Sequence, residues 1–247
     1  MFYKHVLWVV GLFSFTAWAD QLPIECGRLA NHYGPFDYRK VPAGDFRIVV
    51  VERAHFPPEV ESLKKGSTAN YASGDISYTL SVFPNHPRAL MAMMNWGLKH
   101  GTDKPIGTRY SVTCWFERGL AYAPDDNRVP MIYGIYRYRL KQYNEAITLF
   151  ENSLKLGNEG TDAYYNLGLA YFAAQRYEDA LKQAHIAYER GFALPGLRQM
   201  LQKAGKWQDL PPRSSEALKP ADQQPAQQGS GDAKPAGTAA EADGKKD

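Results

Sequence analysis

Cysteine is scarce in this sequence, and its placement excludes several kinds of site. The chain has two cysteines, Cys26 and Cys114, which lie far apart in the sequence. They form none of the closely spaced pairs that hold structural zinc or act as redox dithiols. In an oxidising compartment such a pair is expected to form a disulfide, which would constrain the unfolded chain. The alternative is two buried thiols.

Catalytic sequence motifs are missing. The chain contains no HExxH, no GxSxG and no Walker phosphate loop. The stretch GSGDAKPAG has the glycines of a phosphate loop, but no predicted strand precedes it and no predicted helix follows it. We therefore predict that the protein is not an enzyme and uses no cofactor.

A strongly basic face is also missing, because the formal net charge is only +3. Arg137, Arg139 and Lys141 are interleaved with tyrosines, as in some nucleic-acid-binding stripes. A helix would distribute these side chains around its circumference instead of aligning them on one face. We expect no nucleic-acid partner.

Long apolar runs are confined to the first residues, MFYKHVLWVVGLFSFTAWA. Lys4 and His5 supply a basic start, the apolar run 6–16 is too short to span a bilayer comfortably, and the segment ends in Ala-Trp-Ala. This pattern predicts a signal peptide at 1–19, cleaved after Ala19, and a periplasmic or secreted mature chain without a transmembrane segment. An uncleaved membrane anchor is the alternative.

The last residues, 208–247, lack aromatic side chains, valine and isoleucine. Such a composition cannot bury enough apolar area to offset the entropy lost on ordering. We predict a disordered low-complexity tail.

What the sequence does contain is helical periodicity at a fixed spacing. In YYNLGLAYFAAQRYEDALKQAHIAYERG, apolar residues recur at helical intervals before and after the break at AAQR. Subtracting 34 from the residue numbers places Gly168 on Gly134 and Ala180 on Ala146. Small residues at matching positions let neighbouring helices approach closely. We assign clear copies to about 127–160 and 161–194, a degenerate copy to about 87–124 and a capping helix to 195–205.

This unit resembles the tetratricopeptide repeat (TPR). The resemblance implies a mostly α fold, a TPR-like solenoid of helix-turn-helix units over 72–207, and stacking of at least about three units. The earlier copy departs from the family pattern at Arg137, where tyrosine is usual. The residues that carry the resemblance in the later copy are Leu167, Gly168, Tyr171, Ala180 and Ala187.

Residues 20–71 do not fit the repeat. DFRIVVVER, at 45–53, is rich in β-branched residues and predicts a strand. A lone strand needs a partner. We expect a short irregular or β segment that wraps around the first helices and is held there by Cys26–Cys114.

In tetratricopeptide stacks the first helix of each pair lines a concave groove. The mixed apolar and aromatic lining suits a peptide or helix from a protein partner. The alternative is that some lining residues pack against the N-terminal segment. A family-type carboxylate clamp is not predicted, because Ile132 takes the place equivalent to Asn166. The groove residues that the resemblance implies are Arg128, Met131, Ile132, Ile135, Tyr138, Arg139, Asp162, Tyr165, Asn166, Leu169 and Phe172.

These features predict a periplasmic, non-enzymatic scaffold or adaptor for assembly or stabilisation of an envelope complex. An alternative is a metal-binding or hydrolytic module in the N-terminal segment, built from His55 with Glu52, Glu59 and Glu61. A third possibility is an accessory subunit fixed permanently in a complex.

Overall fold

The structure, a computed structural model, describes residues 22–209 of the chain. The predicted signal peptide at 1–19 lies outside this range, as does the predicted disordered tail at 208–247 apart from its first two residues. Within the described range there are ten α-helices, one short 3₁₀ helix at Ile24–Cys26 and no strand. The α-helices are α1 (Phe46–His55), α2 (Pro58–Glu61), α3 (Ala72–Val82), α4 (Pro87–His100), α5 (Val112–Tyr122), α6 (Arg128–Arg139), α7 (Tyr143–Lys155), α8 (Thr161–Ala173), α9 (Tyr177–Glu189) and α10 (Gly196–Lys203).

The predicted mostly α fold is confirmed by packed helical hairpins. α6 packs on α7, α7 on α8, and α8 on α9, so the last two copies form a continuous stack. α4 and α5 lie where the degenerate copy is predicted, and they are joined by a longer connection in which the Val112 N–H donates to the Asp103 carbonyl at 2.7 Å. None of the described helices is both long and apolar enough to cross a bilayer.

The two clear hairpins share one backbone plan at the turns. Lys141 and Gln175, 34 positions apart, follow the first helix of each hairpin with φ values of 63° and 62°. Gly157 and Gly191, again 34 positions apart, follow the second helix with φ values of 84° and 91°. Because both turn positions recur at the same interval, the sequence repeat is also a repeat of structure.

The close contacts predicted at the repeated glycines are present. A Cβ atom added to Gly134 in α6 would lie 2.6 Å from the Phe150 ring in α7. Gly168 in α8 is the equivalent position in the next repeat. The α9 residue that corresponds to Phe150 is the smaller Ala184. Leu197 of α10 contacts Gly168 there, at 2.5 Å from an added Cβ. The capping helix therefore packs against the end of the stack at the position where the repeat lacks a large side chain.

The strand predicted at 45–53 is wrong, because these residues form helix α1. Asp45 caps the helix by accepting a hydrogen bond from the Arg47 N–H at 2.8 Å. Ile48 and Val51 pack against the buried Phe83, while other apolar residues of α1 point outward. A helix satisfies its backbone hydrogen bonds internally, whereas a strand in this position would have had no partner.

The N-terminal segment is covalently linked to the helices, as predicted. A disulfide joins Cys26 to Cys114 in α5, with 5.0 Å between the Cα atoms. The buried Arg118, one turn further along α5, donates to the carbonyl oxygens of Cys26 and Arg28, both at 2.8 Å. The predicted disulfide is therefore confirmed, and a buried guanidinium adds two hydrogen bonds beside it.

Candidate functional site

The first helices of successive hairpins lie side by side, with α4 in contact with α6 and α6 in contact with α8. In stacked helical hairpins this is the concave side of the solenoid. The accessible side chains of α6 and α8 therefore form one surface, which we call the inner face.

On α8, the predicted groove residues Leu169 and Phe172 are half-buried and pack on the core of the last two repeats. The Phe172 ring lies edge-on to Tyr177, with 5.4 Å between centroids. Tyr165 stacks on Phe192 at 4.2 Å. These rings are held in place by neighbours before any ligand arrives, which lowers the entropy cost of binding. The remaining predicted positions on this helix are the half-buried Asn166 and the exposed Asp162.

On α6, Tyr138 and Ile135 are half-buried and Arg139 is exposed. Burial raises the pKa of Tyr138, and the nearby phenols of Tyr143 and Tyr165 raise it further. Tyr138 of α6 and Tyr165 of α8 both pack against the core of the last two repeats. The structure thus brings predicted residues from two successive repeats together.

Two predicted groove residues lie in the core instead. Met131 and Ile132 are only 6% and 5% exposed, so they cannot contact a ligand without repacking. Arg128 is half-buried, and its guanidinium is held by Asp126 through two hydrogen bonds of 3.0 Å. The repeat spacing in the sequence does not distinguish these buried positions from accessible ones. The buried face of α6 is wide and includes both Met131 and Ile132.

The structure adds a cavity that the sequence did not indicate. It has a volume of about 330 Å³ and is lined mainly by the turn between α6 and α7, including Lys141, Tyr143 and Glu145, and by Ala174 at the end of α8. Tyr143 also packs against Tyr138 of the inner face, at 5.6 Å between centroids. The polar turn sequences give no signal for such a cavity, because it depends on how two successive turns stack.

The alternative site around His55 is arranged differently from the prediction. The His55 Nδ1 atom lies 3.0 Å from Asp75 Oδ1, and not against the predicted glutamates. Glu52 is bound to His86, and Glu61 is paired with Arg88. Within residues 22–209, no group of three or more His, Cys, Asp or Glu side chains is placed to hold a metal ion.

Asp75 is an anchor within the fold. It is fully buried and accepts hydrogen bonds from the N–H groups of Ser67 and Ala69 at 2.7 and 3.1 Å. Burial alone would raise the pKa of Asp75, but hydrogen bonds, the largest from Thr68, outweigh it and hold the pKa below its usual value. The ionised carboxylate therefore fixes the chain around 67–69 and orients His55.

Comparison with protein families supports the interpretation of the repeats. Residues 136–175 match the family described as TPR repeat. The match covers the end of α6, all of α7 and all of α8. A search of curated proteins finds no match to the chain. Repeats of this kind are generally non-enzymatic scaffolds for protein–protein interaction. Residues 136–175 are therefore similar to a tetratricopeptide repeat, and the repeated backbone plan of the hairpins is consistent with a protein of that kind.

Proposed function

We propose that this protein is a non-catalytic scaffold whose inner face binds an apolar or aromatic segment of a partner protein. The observation that carries this proposal is the cluster of Ile135 and Tyr138 on α6 with Leu169 and Phe172 on α8. All four are packed at their base against the core yet remain partly exposed. Rigid apolar and aromatic groups of this kind supply most of the energy in peptide recognition.

The charges at the two ends of the inner face favour one direction of binding. Arg139 is exposed at the end of α6 and forms no ion pair among the described residues, while Asp162 is exposed at the start of α8. α6 and α8 are each antiparallel to α7, so they run parallel to each other. A bound segment therefore meets a basic group at one end and an acidic group at the other.

We further propose that the protein is exported and acts in assembly or stabilisation of an envelope complex. The leader sequence supports export, and the disulfide supports it independently, because such bonds persist in oxidising compartments. Cell fractionation followed by mass measurement tests this proposal. A mature chain that begins at Asp20 in the periplasm or medium is expected, and retention of residues 1–19 would contradict cleavage.

Site-specific photo-crosslinking in cells tests the inner face. A photo-reactive residue at Ile135 or Phe172 is expected to give partner adducts, whereas the same residue at Thr148 or Lys182, exposed on the second helices, is not. Leu169→Glu should remove the adducts, because it places a charge among apolar contacts. Lys182→Glu is the matched control and should retain them. Identical adducts from inner and outer positions, or no effect of Leu169→Glu, would refute the proposed site.

The same experiments separate a scaffold from a permanently bound subunit. A scaffold is expected to purify as a stable monomer and to bind its crosslinked partner reversibly. A chain that is stable only together with that partner would favour a fixed accessory subunit.

A further inference from the structure

Helix α1, which precedes the repeats, has an exposed apolar face. Phe46, Val49 and Val50 of α1 are 75%, 45% and 37% exposed. Arg53 lies on the same helical face, one turn further on. At the opposite end, α10 turns only polar residues outward, namely Arg198, Gln199, Gln202 and Lys203. Stacked repeats normally end in a polar outer face, so the exposed apolar side of α1 departs from the usual pattern within residues 22–209.

Two cavities share Tyr78 of α3, and the first of them is lined by part of this surface. The first, of about 320 Å³, lies between the aromatic part of the N-terminal segment at Tyr33 and helix α1 at Phe46 and Val50. The second, of about 430 Å³, lies between the small residues of α3 and the loop that contains Arg109. Tyr78 lines both cavities, and we call the two together the α1–α3 groove.

Arg109 is the one formally charged side chain among the residues that line this groove. Its ionisable side chains other than tyrosines are His32, His55 and Arg109, and no acidic side chain lines either cavity. The nearby Asp75 is fully buried and its oxygens are engaged within the fold.

The Arg109 end of the groove carries uncompensated positive charge. Arg109 is exposed and forms no ion pair among residues 22–209. The buried Arg118 donates to backbone carbonyls and has no acidic partner in the same range. Burial lowers the pKa of Arg118, Tyr110 opposes that shift, and the positive charge of Arg109 adds a smaller lowering effect. An anion bound at Arg109 would relieve this repulsion.

We propose that the α1–α3 groove is a second binding site, separate from the inner face, for an acidic segment of a partner protein. An apolar side chain of that segment packs against Phe46 and Val50, and a carboxylate pairs with Arg109. This combination places an apolar anchor beside a charge-assisted hydrogen bond, which gives both affinity and register.

A membrane surface fits the same observations less well. Helices that lie on anionic lipid carry several Lys or Arg residues on their polar face. In α1, Arg47 is paired with Asp45 at 2.9 Å, which leaves Arg53 as the free cation on the exposed face. The observations therefore favour a protein segment over lipid.

Peptide binding to the purified full chain tests the proposal. One set of short fluorescein-labelled peptides combines aspartate and glutamate with phenylalanine and leucine, and a second set replaces each carboxylate by its amide. Fluorescence anisotropy should show that the acidic set binds more tightly, by about tenfold or more. Arg109→Glu and Val50→Asp should each weaken binding by a similar factor.

Matched variants control for charge and for location. Lys182→Glu changes an exposed cation on α9, and Leu194→Asp changes an exposed apolar residue before α10. Both should leave binding unchanged, as should Leu169→Glu on the inner face. A photo-reactive residue at Phe46 should give an adduct with the acidic peptide.

Several outcomes would overturn the proposal. These are equal binding of the acidic and amide peptides, no loss with Arg109→Glu, or no adduct at Phe46. Binding to vesicles of anionic phospholipid with no binding to the acidic peptides would assign the groove to a lipid surface instead. Leu169→Glu changes only the inner face, whereas Arg109→Glu and Val50→Asp change only the groove. The two proposed binding sites can therefore be refuted independently.

Discussion

Stability below neutral pH should depend on one buried imidazole, His86, which is fully inaccessible to solvent. Its Nδ1 atom accepts a hydrogen bond from the Ala89 N–H at 3.1 Å and so caps α4. Its Nε2 atom lies 3.0 Å from Glu52 Oε1. A backbone N–H can only donate, so the ring is neutral with its proton on Nε2. Protonation would put a second donor on Nδ1, directly opposite the Ala89 N–H.

The sign and size of the effect follow from this geometry. Burial lowers the pKa of His86 below its ordinary value of 6.5, although Glu52 opposes the shift. The unfolded chain therefore takes up this proton first as the pH falls below about 6.5, and stability is lost between that pH and the folded pKa. The maximum slope for one proton is about 1.4 kcal/mol per pH unit. The hydrogen bond from His86 lowers the pKa of Glu52. The stability that the ionised Glu52 contributes is therefore lost only at still lower pH, below 4.5.

Urea unfolding followed by tryptophan fluorescence, in steps from pH 7 to pH 5, measures this slope. In His86→Asn the amide oxygen can still cap α4 and the side chain does not titrate. This variant should be less stable at pH 7, because the shorter side chain no longer reaches Glu52. Its stability should nevertheless depend less on pH than that of the unchanged chain. Equal slopes for the two proteins would refute the assignment of a buried neutral imidazole.

Two further changes test the packing. Gly134→Ala should lower the free energy of unfolding by about 1–3 kcal/mol in urea denaturation, because the alanine Cβ would lie 2.6 Å from the Phe150 ring. An unchanged midpoint would contradict this close contact. Reduction of Cys26–Cys114, or replacement of both cysteines by serine, should lower the free energy of unfolding by about 2–5 kcal/mol in the same assay. An equal midpoint with and without reductant would show that the bond adds no stability.

The parts of the fold that could be predicted are those with a local and repeated cause. Gly134, Gly168 and the alanines that follow them recur because helices in each hairpin approach closely, and this need appears at a fixed interval in the sequence. The disulfide was predictable because only one pairing is possible.

The parts that could not be predicted depend on the tertiary environment. The consecutive β-branched residues of α1 surround the helix, so they show no helical stripe, and only packing of one side against Phe83 decides its conformation. Ile132 aligns with the half-buried Asn166 but is covered by neighbouring helices. The α1–α3 groove joins residues that are distant in the sequence, so no motif marks it.

The disulfide also determines how the protein responds to mechanical force. A pull between the N-terminal end and the last repeats passes from Cys26 directly to Cys114, so the first hairpins and the α1–α3 groove bear no tension. The chain from Cys26 to Cys114, a sequence separation of 88, would add about 300 Å of contour length, at about 3.4 Å per residue, if it could extend. In single-molecule stretching this length should appear only after reduction, so a tether at the N-terminus can be strained while the groove keeps its shape.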